Sequence, residues 1–274
     1  MASFMVPILL QLAFYSVASS TSWSYLFQED WPASCKGIQQ SPIDIRTRET
    51  VRKSFPNIQF SDAIYQEKMA TVTNTGRSVK VKFLNDNYSP TVCGGGLQGK
   101  YVLDSFHFHW RSEHSIDEYR YPLEGHFVHH SENYPNLESA MSHPGGVAVF
   151  AVFYNTLKTS IPSPAFSFVH EIEMVARRIN KSLVSNNPIT LADFLPQNLN
   201  DFYRYNGSLT TPNCNEGVIW TIFKKPQNIP VSQYKKLVDI RDEMGDRLRS
   251  NYRDPQAVNR RTVWESCGND NIYY

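Results

Sequence analysis

Short runs in which apolar and polar residues alternate recur at 78–83, 101–110, 126–130, 146–154 and 216–223, each rich in Val, Ile, Phe, Tyr or Trp. A period of two sends successive side chains to opposite faces, so these runs are predicted strands of a buried or half-buried sheet. Two segments carry helical spacing instead: 166–179, with Val169, Ile172, Ala176 and Ile179, and 233–248, with Leu237, Ile240 and Met244. Helices are the minority. The expected architecture is a single α+β domain, mostly β, with a large central sheet and a few surface helices. Aromatic residues make up 13% of the chain and charged ones only 19%, which favours one large core over a disordered tail. With 27 basic against 26 acidic residues the formal charge is +1, and a nucleic acid or other polyelectrolyte partner is not expected.

Residues 1–20 contain an apolar run at 4–14, interrupted by Pro7 and Gln11 and followed by Ser16, Ala18, Ser19 and Ser20. This pattern predicts a secretory signal peptide, a mature domain at 21–274 and an extracellular location. The run is shorter than the roughly 20 apolar residues of a membrane helix, and no later segment reads as a membrane span or a lipid-attachment tail. Secretion permits disulfides, and Cys35, Cys93, Cys214 and Cys267 allow three full pairings, among which the residues themselves do not choose. No C-x-x-C element is present, which disfavours a structural zinc site. Asn87-Tyr88-Ser89 and Asn180-Lys181-Ser182 match the glycan acceptor pattern, as does Asn206-Gly207-Ser208. The stretch Gly94-Gly95-Gly96-Leu97-Gln98-Gly99-Lys100 ends in Tyr101 where a phosphate-binding loop needs Ser or Thr, and a strand follows it. It is a glycine-rich turn. No G-x-S-x-G elbow supports a serine hydrolase.

The chemistry concentrates in two strand-like pieces, Phe106-His107-Phe108-His109-Trp110 and Glu124-Gly125-His126-Phe127-Val128-His129. Alternation puts His107 and His109 on one face and Phe106, Phe108 and Trp110 on the other. If 111–123 folds back as a hairpin connection, His126 arrives beside them from the neighbouring strand and His129 points away. Three neutral imidazoles suit Zn²⁺, and a three-ligand site keeps a fourth position for water, the catalytic arrangement.

With these pieces the chain resembles an α-carbonic anhydrase. The matching residues are Gln40-Ser41-Pro42-Ile43-Asp44-Ile45, 106–110, Ser112-Glu113-His114, 124–129 and Gly207-Ser208-Leu209-Thr210-Thr211-Pro212, in the family's order. Weaker agreement runs from Trp23 and Tyr25 to Asn251-Tyr252-Arg253. The resemblance implies a mostly antiparallel twisted sheet of about ten strands and reversible hydration of CO2 to bicarbonate at Zn²⁺ held by His107, His109 and His126. It further implies that Thr210 accepts the proton of the zinc-bound hydroxide, Glu113 accepts the Thr210 hydroxyl proton, and Glu124 supports the His126 ring. Thr211 would line the cleft, and Val128, Val149, Leu209 and Val218 would form the CO2 pocket. Tyr25, Asn74 and Arg77 fall on the proton-transfer path. Sulfonamides and anions are expected inhibitors. Cys35 and Cys214 match the disulfide of secreted members, which leaves Cys93 and Cys267 by elimination.

Three positions depart from the family pattern. Arg77 occupies the place of a frequent proton-shuttling histidine, and arginine stays protonated at physiological pH, so slow proton release is expected. Ser105 replaces a glutamine that supports the first zinc histidine, which predicts a less firmly oriented His107. Asn213 follows Pro212 where a second proline is frequent. The rival reading is a catalytically weak or silent secreted module used for binding or matrix assembly; such modules lose zinc histidines, and this chain keeps all three with Glu113 and Thr210.

Overall fold

A computed structural model describes residues 23–84 and 88–267. The 1–20 leader, the Asn87 glycan acceptor and the segment after Cys267 lie outside the described residues. One sheet of 13 strands organises the domain. Its continuous path runs Ser182–Val184, Ala70–Asn74, Val79–Phe83, Tyr101–Trp110, Leu123–Ser131, Val147–Leu157, Glu216–Phe223, Phe202–Ser208, Trp264–Ser266 and Val51–Lys53. The remaining three strands, Gln59–Phe60, Thr91–Cys93 and Gln227–Pro230, pair off this path. Most pairings are antiparallel. Val147–Leu157 runs parallel to Glu216–Phe223 and to Gln227–Pro230, and Trp264–Ser266 runs parallel to Val51–Lys53, so the sheet is mixed.

The two-residue period selects the strands because both faces of the sheet are covered by different apolar clusters. Phe106, Phe108 and Trp110 project into one cluster with Phe127, Phe150, Phe166, Phe168 and Phe194. Val128, Val149 and Val218 project into the other, with Tyr205, Trp220 and Phe153. A one-residue slip would exchange the two sets, so the pattern fixes the register. In the Tyr101–Trp110 strand that register shifts once: Leu103 faces His129, but Ser105 faces Val128, which leaves Asp104 as the extra residue of a bulge. Beyond the bulge, His107 lies directly opposite His126 and His109 opposite Glu124.

Both expected helices are shorter than their spacing suggested. The first is Val169–Val175, preceded by a 3-10 turn at Pro164–Phe166, and the second is Val231–Leu237. The first stops where the Ala176 carbonyl accepts hydrogen bonds from Asn74 Nδ2 and from the Arg241 backbone N–H, both 2.8 Å. That second bond also draws the chain at 241 out of helical geometry. Ile240 and Leu248 remain buried, but Met244 is 75% exposed at the tip of a turn in which Gly245 has φ +85°. The apolar spacing here comes from a loop that buries its two ends.

Cys35 and Cys214 form a disulfide. Cys93 and Cys267 are free thiols, which corrects the pairing left by elimination. Cys93 sits opposite Gln59 in strand register, and the Cys267 N–H bonds the Lys53 carbonyl. The glycine-rich segment is a turn, with positive φ at Gly94, Gly95, Gly96 and Gly99. Among the described residues no helix is long and apolar enough to cross a membrane.

Candidate metal centre

His107, His109 and His126 come from two adjacent antiparallel strands on the face opposite the phenylalanine cluster. Their ring centroids are 5.0, 5.3 and 4.5 Å apart in pairs, and one ring nitrogen of each lies within 4.8 Å of the others. His109 and His126 are buried and His107 is half-buried.

Two of the rings are fixed from behind. His109 Nδ1 lies 2.6 Å from the Asn251 carbonyl, and His126 Nε2 lies 2.7 Å from Glu124 Oε1. Each of those nitrogens therefore donates, which leaves His109 Nε2 and His126 Nδ1 as lone-pair donors. His109 Nε2 is buried without a hydrogen-bond partner, and so is Glu113 Oε2. That carboxylate oxygen is 3.5 Å from His109 Nε2 and 3.8 Å from His126 Nδ1. A buried imidazole nitrogen without a partner is costly unless a proton or a cation meets its lone pair. Burial, followed by the neighbouring imidazoles, holds the His107 pKa well below its ordinary value; burial also lowers that of His109. Neutral rings keep their lone pairs for a metal, so the residues present fit Zn²⁺.

Behind the centre lies a buried polar chain of which the sequence reading assigned only the link from Glu124 to His126. Glu124 receives His126 Nε2 and His114 Nδ1 on Oε1, each at 2.7 Å, and the His114 backbone N–H on Oε2 at 2.8 Å. Burial pushes its pKa up, but the two imidazoles outweigh that and hold the carboxyl well below the usual range. His114 Nε2 is 2.7 Å from the Tyr205 hydroxyl, which is 2.7 Å from Ser41 Oγ. Ser41 Oγ accepts the Ser208 N–H at 3.0 Å, so the chain ends on the strand that leads to Thr210. Trp220 closes the side of this chain, its ring 4.8 Å from both His114 and His126. His114, Glu124 and His126 also form a cluster of metal-ligand type, but their atoms already bond one another.

Glu113 Oε1 accepts the Arg253 N–H at 2.8 Å, while the Arg253 guanidinium binds Gln40 Oε1, the Ser41 carbonyl and the Cys35 carbonyl. Arg253 thus ties the disulfide and the 40–45 motif to the carboxylate. Thr210 is buried, and its hydroxyl makes no hydrogen bond among the described residues, to Glu113 or to any other group. Val128, Val149 and Val218 share one apolar cluster against which Leu209 packs, and Thr211 is half-buried beside the disulfide loop, its carbonyl accepting the Cys214 N–H at 2.7 Å.

Other expected residues face elsewhere. The Ser105 hydroxyl donates to Asp104 Oδ2 at 2.7 Å and does not touch His107, whose ring has no hydrogen bond among the described residues. Asn74 is buried, its amide spent on the carbonyls of Ala176 and Arg241 and its carbonyl accepting the Gly76 N–H. Arg77 pairs with both oxygens of Glu243 at 3.1 and 3.0 Å, donates to the Trp23 carbonyl at 3.0 Å and stacks 4.0 Å from the Trp23 ring centroid. Tyr25 joins Trp23 and Trp31 in an aromatic cluster against the disulfide. Burial first, and the charge of Glu113 second, raise its pKa well above the ordinary value.

A mixed β-sheet bearing three convergent imidazoles with carboxylates behind them defines a protein whose three-histidine cluster could hold a metal ion. The family model for eukaryotic-type carbonic anhydrase matches residues 20–267. Among curated relatives, carbonic anhydrase 3 of Homo sapiens is 31% identical over 256 residues, 88% of this chain and 92% of that protein. Carbonic anhydrase 3 of Mus musculus is 31% identical over 244 residues, covering 83% and 89%. Carbonic anhydrase 6 of Mus musculus is 27% identical over 275 residues, covering 93% and 84%. The chain belongs to the eukaryotic-type carbonic anhydrase family.

Proposed function

We propose that this protein is a secreted zinc enzyme that interconverts CO2 and bicarbonate, with proton release as its slow step. The observation that carries the reading is the convergence of His109 Nε2, His126 Nδ1 and the His107 ring, with two of those rings held in the required tautomer by Asn251 and Glu124. Bound by these three residues, Zn²⁺ supplies a Lewis acid that brings the pKa of coordinated water to about 7, a value established for this enzyme family.

The remaining chemistry belongs to the chain. Glu113 Oε2, which has no partner in this structure, would take the Thr210 hydroxyl proton as a hydrogen bond once the two are brought together, leaving the Thr210 oxygen free to accept from a ligand that carries hydrogen. Such an acceptor orients the nucleophile and rejects ligands without a donor. Val128, Val149, Val218 and Leu209 present an apolar wall, suited to CO2, which offers no hydrogen-bond donor. Where a shuttling imidazole would stand, the Arg77 guanidinium is held in an ion pair with Glu243 and offers no such shuttle. The 1–20 leader and the Cys35–Cys214 bridge support export to an oxidising compartment, where Asn180, exposed on a turn, is the best placed glycan acceptor. Sulfonamides and small anions would compete for the fourth position.

Stopped-flow CO2 hydration by the purified protein, before and after zinc chelation, tests the reading. Metal-dependent hydration supports it. Inactivity with zinc bound would favour the silent module.

A further inference from the structure

A second polar site lies away from the imidazoles, between the C-terminal end of the Val169–Val175 helix and the 239–245 segment. Two adjoining grooves of about 620 and 390 Å³ open there, and Arg177 and Arg241 line both. The backbone brings these two residues together. The buried Asn74 amide donates to the carbonyls of Ala176 (2.8 Å) and Arg241 (3.1 Å), and the Arg241 N–H donates to the Ala176 carbonyl (2.8 Å). Residues 176–177 and 241 are thus locked side by side, and the two guanidinium groups project from neighbouring points of one rigid junction.

The acids around the grooves are already engaged. Glu173 pairs with Lys236 at 3.0 Å, Asp239 with Arg247 at 3.2 Å, and Glu243 with Arg77 at 3.0 Å. Asp242 Oδ1 accepts the backbone N–H groups of Met244 and Asp246. Neither Arg177 nor Arg241, nor Lys235 on the wall of the smaller groove, has an acidic partner among the described residues. Arg177, Arg241 and Lys235 thus stand unmatched on the groove walls, with Asp242 the one lining carboxylate not held in an ion pair.

We infer that Arg177 and Arg241 form a binding site for a tetrahedral oxyanion, a sulfate or phosphate group carried free or as an ester. Two planar guanidinium forks match such an anion through paired N–H···O bonds, and Lys235 adds a point charge. The site shares no residue with the three-histidine centre and does not depend on its chemistry.

The test is an amide NMR titration of the zinc-loaded mature protein, 21–274, with sodium sulfate, inorganic phosphate and a sulfated oligosaccharide, at constant ionic strength. Saturable shifts at 176–179 and 239–245 are expected, with affinity reduced about tenfold or more in Arg177→Gln/Arg241→Gln. Arg177 is exposed and its side chain has no hydrogen-bond or ion-pair partner among the described residues, so Arg177→Gln alone keeps the test valid if the double variant does not fold. CO2 hydration without added anion should be unchanged in either variant. Tighter binding of the sulfated oligosaccharide than of the free ions assigns the site to an ester on a larger molecule, and equal binding assigns it to the free ion. Shifts that do not saturate, that occur only around the histidines, or that persist unchanged in both variants overturn the inference.

Discussion

At the scale of single residues, the centre depends on what stands behind each imidazole. Asn251 and Glu124 fix His109 and His126, whereas no group among the described residues bonds the His107 ring. Glu124→Gln removes a charge that His126 and His114 share, and its zinc retention against a competing chelator should fall by roughly 10 to 100 fold; retention equal to the parent would show that the carboxylate is dispensable. Arg77 supports a second prediction. Arg77→His should raise the maximal hydration rate in weak buffer with kcat/KM unchanged, and added imidazole should partly do the same for the parent. If neither intervention moves the maximal rate, proton release is not limiting. The pair His107 and His109 was legible in the sequence because strand parity alone puts them on one face, whereas His126 also required 111–123 to return as a hairpin, which places it opposite His107. The partners Asn251, Tyr205 and Ser41 were not legible, since the bonds His109–Asn251, His114–Tyr205 and Tyr205–Ser41 span 142, 91 and 164 residues, and no local pattern encodes such distant pairings. Ser105 shows the same limit. Its position was readable, but the bulge at Asp104 gives its hydroxyl a nearer acceptor than the His107 ring.

At the scale of elements, period-two runs were read well where both faces are buried, and the 101–110 and 216–223 strands have the expected bounds. Period-four apolar spacing misled at 233–248, where Ile240 and Leu248 are buried by a loop anchored on Ala176 and Asn74. The disulfide links the entry to the 40–45 motif with the segment just after Thr210 and spans a sequence separation of 179 residues. Its loop-closure entropy corresponds to about 5 kcal/mol as an upper figure. Cys35→Ser/Cys214→Ser should therefore lower unfolding stability by a few kcal/mol in urea titrations and increase amide exchange at 209–214. Parent-like stability and protection would mean that Arg253 and Gln40 alone brace that loop.

At the scale of the whole molecule, the sheet is a partition between an apolar cluster and the polar centre, and His129 is on the apolar side. It packs 5.1 Å from Phe150 with Nδ1 on the Phe127 carbonyl, and burial pushes its pKa down to about 4. Because the unfolded value is higher, about 6.5, the unfolded chain takes up the proton first as pH falls. Stability from this group is complete above pH 6.5 and is lost toward pH 4, amounting to roughly 2 to 3 kcal/mol by pH 4.5. His129→Gln should flatten the pH dependence of unfolding free energy by that amount, whatever its stability at neutral pH; equal slopes for parent and variant would contradict the assignment. The most direct test of the central claim is the CO2 hydration rate of metal-free protein titrated with Zn²⁺. The rate should rise linearly and break sharply at one equivalent, with no rise in His126→Ala. A flat response, or a rise that ignores the loss of His126, would contradict a single zinc held by three imidazoles.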